Sequence, residues 1–544
     1  MRCKSRWRRP KGRQQGGGAS LCLPCARFVR TSPLSKPLES GAHKAGHTHA
    51  RFGPLKTPPS RILPIAKTAL AFFTAVAAAA AYSACGRAAQ HRGDDAAAPS
   101  SGSEDRAEKE ASQPASDGDD GAGAPTGPSS ESAPHGRPDL PSPLSFVFIT
   151  VDTLRPDLGY AGYERPVSPR LDELAKKSVI YEKAYAISTY TAFSLPPMMA
   201  SRYPSEMPRS DRHEVRYMGS NLLLAERLHA AGYRTAGVAS HFLFNRALGW
   251  IDGFDRFIMT GVDGSQGSGI DWRHSSRPIA ETAIRLLGEA EFVSGPFFMW
   301  IHFLDPHKQY LEHPGYSTFG NDARALYDGE IAFTDHHIGR VLDALAASPA
   351  AERTVVIFTG DHGEAFGEHG FFFHGREIWD EVVRVPLIIH MPGIKPRTVA
   401  RRTSNVDLAP TVLDLAGLPE DEGARGRSLV ADLFGGEVAM HPFLVDQPRN
   451  PYYAPRRGFF DGAHKLHHFI DTGTYRLFDL DQDPGEQTDL AEAQPDLLHE
   501  VQRSYQQFVA KIVDFIPTPM GEPRPAGPAP RAPGPPVASA KPKK

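Results

Sequence analysis

Beyond Cys85 the chain contains no cysteine. The four it has, Cys3, Cys22, Cys25 and Cys85, all precede the region where helix and strand patterns alternate. That region therefore holds no disulfide, no thiolate ligand and no cysteine nucleophile. "CLPC" at 22–25 lies in a basic, Pro- and Gly-rich stretch without helix or strand periodicity, a poor setting for a redox or zinc pair. An excess of charge is also missing: the formal net charge is -2, and bulk charge implies no nucleic-acid partner. The balance conceals an asymmetry. Residues 1–67 are rich in Arg and Lys with Glu39 as the only acid, whereas residues 93–120 are rich in Asp and Glu.

No apolar run reaches the length of a typical membrane-spanning helix. The nearest, "TALAFFTAVAAAAAYSA" from Thr68 to Ala84, follows Arg61 and Lys67 and ends in small residues before Cys85, the layout of an export signal. "YSAC" resembles a bacterial lipoprotein cleavage box in which Cys85 is lipidated, with Tyr82 replacing the usual aliphatic residue. An ordinary cleaved signal and a retained N-terminal anchor are the alternatives. The expectation is an exported protein of the bacterial periplasm or cell surface, tethered to the membrane through an N-terminal lipid or anchor.

Residues 1–85 thus read as a basic extension with an export signal. Residues 86–142 are dominated by Ala, Gly, Ser, Pro, Asp and Glu and lack the apolar side chains needed to build a core, so a disordered linker is expected. The Pro-rich end, 518–544, is expected to be a tail. Between them lie a catalytic part, 143–400, and a C-terminal part, 401–517, with no internal repeat.

Three segments in this region share a design: "SFVFITVD" (145–152), "PFFMWIHFLDPH" (296–307) and "RTVVIFTGDHGE" (353–364). Each is a short apolar run suited to a strand buried on both faces, and each ends in Asp or His. Helical patterns separate them, among them "SPRLDELAKKS", "GSNLLLAERLHAAG", "SRPIAETAIRLLGEA" and "YDGEIAFTDHHIGRVLDALAAS". Such alternation predicts an α/β fold with a mostly parallel sheet and helices on both faces. Ligands bind beyond the carboxyl ends of such strands, so Asp152, Asp305, His307, Asp361 and His362 are expected along one edge. Singly, an Asp after a strand is often only a helix cap. Together, carboxylates with imidazole are what a divalent cation requires.

"VDTLRPDLGYAGYERPVSPRLDELAKKSVIYEKAYA", "TGDHGEAFGEHGFFFHGREIWDEVVRVPLIIHMPG", "NVDLAPTVLDLAGLP" and "YRLFDLDQDPGEQTDLAEAQPDLL" resemble, in order, the sulfatase family within the alkaline phosphatase superfamily. The resemblance runs from about Phe146 to Val513. It implies an alkaline-phosphatase-like sandwich with a large, mostly parallel central sheet flanked by helices, and a smaller C-terminal subdomain with a small antiparallel sheet. It also implies a divalent metal that activates a nucleophile against sulfate, phosphate or phosphonate esters. By position Asp152, Asp361 and His362 resemble the metal ligands. Sulfatases commonly carry a second Asp directly after the first; here Thr153 stands there, which shifts preference from Ca toward Mn or Zn, with all three still candidates.

The usual nucleophile is formylglycine made from Cys or Ser in a Cys/Ser-x-Pro-x-Arg motif. The nearest string here, "SLPPM" from Ser194 to Met198, has Met where the Arg belongs. In the family the nucleophile lies eleven residues before a trailing "RYP"-like turn, and counting back from Arg202 gives Thr191. Family members without formylglycine often carry Thr there, as metal ligand and nucleophile together. A dication on its oxygen favours the ionised form of an otherwise poor nucleophile. Ser194 is the second candidate.

Attack on sulfur or phosphorus builds charge on the equatorial and leaving oxygens, so hydrogen-bonding or cationic groups are needed around the metal. His307 in "DPHKQY" and His374 in "FHGREIW" resemble the family's substrate-binding residues, and Gly375 stands where typical sulfatases have a Lys. A histidine can serve as general acid. His302 and Arg376 are further substrate-binding candidates; Arg155 reads equally well as a surface ion pair, and "EHG" at 368–370 reads as loop-shaping.

The expected substrate is a small-molecule or glycan ester of sulfate, hydrolysed through Thr191. A phosphodiester or phosphonate monoester hydrolase on the same scaffold is the alternative, and a catalytically silent binding lipoprotein the second. A phosphoethanolamine-type transferase fits less well, since those proteins generally have several membrane spans.

Overall fold

The structure, a computed structural model, describes residues 141–241, 243–260, 275–436, 438–450, 453–515 and 517. The expected export signal, Cys85, nearly all of the 86–142 linker and the 518–544 tail lie outside the described residues. Among the described residues no helix is long and apolar enough to cross a membrane.

Fourteen strands are described: β1 (Ser145–Val151), β2 (Val179–Tyr185), β3 (Arg234–Ala239), β4 (Arg256–Met259), β5 (Phe297–Phe303), β6 (Thr354–Gly360), β7 (Ala365–Phe366), β8 (Phe372–Phe373), β9 (Arg384–His390), β10 (Arg397–Ser404), β11 (Phe443–Gln447), β12 (Arg456–Asp461), β13 (His464–Phe469) and β14 (Thr474–Asp479). The principal helices are α1 (Pro169–Ala175), α2 (Thr191–Ala200), α3 (Leu224–Ala230), α4 (Ser276–Leu287), α5 (Ala323–Ala346), α6 (Leu408–Leu415) and α7 (Pro495–Val509). Eight strands form the large sheet in the order β10-β2-β9-β6-β1-β5-β3-β4, parallel except where β9 runs against both neighbours. A four-stranded antiparallel sheet, β11-β12-β13-β14, and the short hairpin β7-β8 complete the strands. This is the α/β architecture expected from the alternating patterns.

The continuous apolar runs of β1, β5 and β6 are explained by two cores. Phe146 and Phe148 of β1, Phe298 and Trp300 of β5, and Val355 and Ile357 of β6 face one core, which includes Ala192 of α2, Leu224 of α3 and Val412 of α6. The alternate residues, Val147 and Ile149, Met299 and Ile301, Val356 and Phe358, face the other, with Leu171 of α1, Ile279 of α4 and Ile331 of α5. A strand with period-2 side chains and helices on both faces must be apolar throughout. The small sheet is anchored the same way. Leu444, Phe459, Leu466 and Leu477 join the first core, while Phe443, Val445, Phe460 and Phe478 pack with Tyr185 and Trp379. The boundary expected at 400/401 falls inside β10, a strand of the large sheet.

Candidate metal and nucleophile site

Because β5, β1 and β6 are adjacent and parallel, their carboxyl ends meet at one edge. The ladder continues one step past the strands: Asp152 N–H donates to the Phe303 carbonyl at 2.9 Å, and Asp361 N–H to the Val151 carbonyl at 3.2 Å. Asp152 and Asp361 are thereby fixed side by side, both fully buried.

Asp361 Oδ1 accepts from the backbone N–H groups of Thr153 at 3.1 Å and His362 at 2.8 Å. Its Oδ2 and both oxygens of Asp152 have no hydrogen-bond partner. His362 Nδ1–H donates to the Gly363 carbonyl at 3.0 Å, which leaves a lone pair on Nε2. That nitrogen lies 3.5 Å from Asp361 Oδ2, 3.7 Å from Asp152 Oδ1 and 3.2 Å from Thr191 Oγ1. The potential ligand atoms of Asp152, Asp361 and His362 all lie within 4.8 Å of one another.

Orphaned buried carboxylate oxygens facing an imidazole lone pair are unfavourable without a cation, and they are the donor set a dication takes. The electrostatics agree. Burial, followed by the charge of Asp152, holds the Asp361 carboxyl well above the usual range. Burial also acts to raise Asp152, yet His307, His302 and His362 together hold it below the usual range. His362 is pushed down to about 3, first by burial and then by His374, and so is a neutral imidazole. The three residues fit a divalent metal.

Thr191 is the first residue of α2, buried, with its hydroxyl turned to His362. The positive end of the helix dipole favours negative charge on an oxygen at this position. Ser194, one turn further in, donates its hydroxyl to the Ser188 carbonyl at 3.0 Å and is held away from that role. Thr153 sits at φ 55 beside the cluster, buried, its Oγ1 without a partner.

His307 and His374 meet beside the cluster, their ring centroids 5.1 Å apart, and His374 lies 4.6 Å from His362. His374 Nδ1 is 3.0 Å from Oε1 of fully buried Glu364. Burial opposes the cationic form of His374, but Glu364 outweighs it and the pKa is raised; His307 is lowered, chiefly by burial. His302 is buried behind Asp152. Trp300 Nε1–H donates to Thr150 Oγ1 at 3.0 Å, and Thr150 Oγ1 lies 2.9 Å from His302 Nδ1. His302 Nε2 lies 3.6 Å from Asp152 Oδ2. Arg376 is exposed, its Cζ 5.8 Å from the Tyr453 ring centroid.

Asp305 lies just past β5, as expected of the strand-end acids; its carboxylate accepts from Ser276 N–H and Ser276 Oγ, both at 2.7 Å, and so caps the first turn of α4. Arg155 pairs with Asp157 at 2.8 Å and Glu368 at 2.7 Å, and His369 stacks on Trp379 with ring centroids 3.9 Å apart, shaping the loop. Sequence reasoning passed over Glu364 and His241. His241 follows β3, and burial, ahead of the opposing pull of Asp152, pushes it down to about 3. A strand ending in His was the signal for His241. For Glu364 it was a carboxylate two residues beyond His362.

Comparison with known proteins bears on family and fold. The family model described as Sulfatase matches residues 145–418, and that described as N-sulphoglucosamine sulphohydrolase, C-terminal, matches residues 367–512. Choline-sulfatase of Rhizobium meliloti (strain 1021) is 26% identical over 404 residues, covering 60% of this chain and 78% of that protein. Ulvan-active sulfatase of Formosa agariphila is 25% identical over 403 residues, covering 65% and 78%. The crystal structure of phosphonate monoester hydrolase of Agrobacterium radiobacter superposes with a TM-score of 0.56 at 21% identity, covering 68% of this chain and 96% of that one, a likeness of fold. With half its length matched by the sulfatase model and that model's span enclosing the carboxylate and imidazole cluster, the chain belongs to the sulfatase family, in the alkaline phosphatase superfamily.

Proposed function

We propose that the chain is a metal-dependent hydrolase of sulfate esters in which Thr191 is the nucleophile. The observation that carries this reading is the convergence of Thr191 Oγ1 with the unpartnered ligand atoms of Asp152, Asp361 and His362. A divalent cation (Mn, Zn or Ca) held by Asp152, Asp361, His362 and Thr191 would supply Lewis acidity, favouring the ionised hydroxyl and offsetting charge on the transferred group.

The chain's own residues supply the rest. Thr191 Oγ1 bonds to sulfur as the bond from sulfur to the alcohol oxygen breaks. His374, protonated and held by Glu364 through Nδ1, gives its Nε2 proton to that oxygen. Water then attacks the sulfate ester on Thr191, neutral His374 takes its proton, and sulfate leaves while the Thr191 oxygen is restored. His307 gives its Nδ1 proton to the Lys308 carbonyl at 2.8 Å, so that only its protonated form would offer Nε2–H to a sulfuryl oxygen. His302 keeps Asp152 charged and oriented.

The substrate class we infer is a small-molecule or glycan sulfate ester, in keeping with the names of the choline-acting and ulvan-active relatives. The threonine in place of formylglycine favours a second reading, a phosphodiester or phosphonate monoester hydrolase on the same scaffold. Export and membrane tethering are proposed from the 68–85 sequence alone.

The test is turnover of matched nitrophenyl sulfate, phosphate, phosphate diester and phenylphosphonate after EDTA, with Mn, Zn or Ca restored. Dominant metal-restored sulfate turnover supports the first reading. Dominant diester or phosphonate turnover replaces it with the second, and silence on all four removes both.

A further inference from the structure

Two exposed cations, Lys308 and Arg376, adjoin His307 and His374 in the chain; Arg376 also feels the charge of its neighbour Glu377. Lys308 directly follows His307 and is exposed, its Nζ 3.5 Å from the centroid of the Phe373 ring. Arg376 lies just past His374, over Tyr453. Among the described residues neither forms an ion pair, although Glu377, beside Arg376, does so with Arg456 at 3.6 Å.

The rings beneath these cations are placed at some cost. Phe373 is held at φ 71, a backbone region a bulky side chain rarely adopts, and is 38% exposed beside Phe372 at 56%. The β7-β8 hairpin fixes both, pairing Ala365 with Phe373 and Phe366 with Phe372. On the other side of His374, Gly375 at φ 84 brings the chain so close that an added Cβ would lie 3.6 Å from the Tyr453 ring and 3.9 Å from Tyr190, the residue before Thr191. Both cations are therefore tied to the catalytic neighbourhood. A ring face holds a cation at a fixed place while leaving it able to meet an anion.

The geometry points to a specificity device: Lys308 on Phe373 and Arg376 on Tyr453 bracket His374 and select an ester whose alcohol part carries a second anionic group, a carboxylate or another sulfate. This rests on the sulfate-ester reading above. The histidines and the carboxylate cluster handle the reacting group, and the exposed cations next to His307 and His374 are then the groups left to meet the alcohol part. A neutral alcohol leaves them unanswered, and a quaternary ammonium is repelled by them.

The test uses the full chain and two readouts. Calorimetry compares benzene-1,3-disulfonate with benzenesulfonate, and kinetics compare phenyl sulfates carrying a meta carboxylate, hydroxymethyl or trimethylammonium group. The wild type is expected to bind the disulfonate about tenfold more tightly. High salt narrows that ratio. K308Q and R376Q each reduce it, the double variant brings it close to one, and K308R retains it. The kcat/KM order is expected to run carboxylate, hydroxymethyl, trimethylammonium. A wild-type binding ratio near one, or a ratio that survives the double variant, overturns the inference. Absent ester turnover with an intact, variant-sensitive binding preference supports the inference and removes the hydrolase reading; turnover without preference removes the inference alone.

Discussion

Thr191 combines three influences: the first position of a helix, burial, and a neighbouring set of unpartnered ligand atoms. T191A is expected to lower kcat at least about a thousandfold. Bound metal, measured by atomic absorption, is expected to persist, because Asp152, Asp361 and His362 still supply donors. Full activity in T191A would remove it as nucleophile. Glu364 is argued to act through His374. The raised pKa of His374 means its proton is present at low pH and lost as pH rises past a point above the usual histidine value. In E364Q the alkaline limb of the kcat profile is expected to move to lower pH, with kcat reduced about a hundredfold for esters with poor leaving groups. An unmoved limb would leave Glu364 a packing residue.

At the scale of elements, α4 shows how the same sequence signal can serve a different purpose. Asp305 follows β5 as Asp152 follows β1 and Asp361 follows β6, yet the start of α4 arrives beside it with unsatisfied N–H groups and takes the carboxylate as a cap. D305A is expected to cost about 1–2 kcal/mol in chemical denaturation and to leave metal content unchanged. Loss of metal together with modest destabilisation would add Asp305 to the ligand set. The buried strands and principal helices were legible because their apolar patterns are continuous or periodic. That Asp305 meets the start of a helix was not legible, because that depends on what the following loop brings back to the edge.

The whole molecule is braced between its two main sheets by a buried ionic group. Lys465 of β13, fully buried, reaches Glu486 at 2.9 Å and Asp380 at 3.3 Å, and His467 Nε2 lies 2.7 Å from the same Glu486 oxygen. Asp380 N–H donates to Glu486 Oε2 at 2.7 Å. The brace lies just past the loop that bears His369 and His374. K465M is expected to cost about 3–5 kcal/mol in unfolding free energy, because two carboxylates are left buried without their cation. Burial would raise the Glu486 pKa, but Lys465 and His467 outweigh it and hold it at about 2. A depressed carboxyl stabilises the fold fully above the unfolded value, 4.5, and that contribution fades as pH falls through about 2. The stability difference between wild type and E486Q is therefore expected to shrink across this interval; a constant difference would refute the charge account.

The sequence by itself determined the elements and the chemistry available at their ends: apolar runs too continuous to be half-exposed strands, Asp and His at their carboxyl ends, and no cysteine beyond Cys85. The strands and their end residues are local properties, set by side-chain period and residue type. Tertiary structure decided the assignments that depend on residues far apart in the chain. It set Thr191 against His362, gave Glu364 to His374, turned Asp305 to α4, and placed His302 behind Asp152. The physical reason is that a buried polar atom takes whichever partner the packing of distant elements delivers, and no local pattern records that delivery.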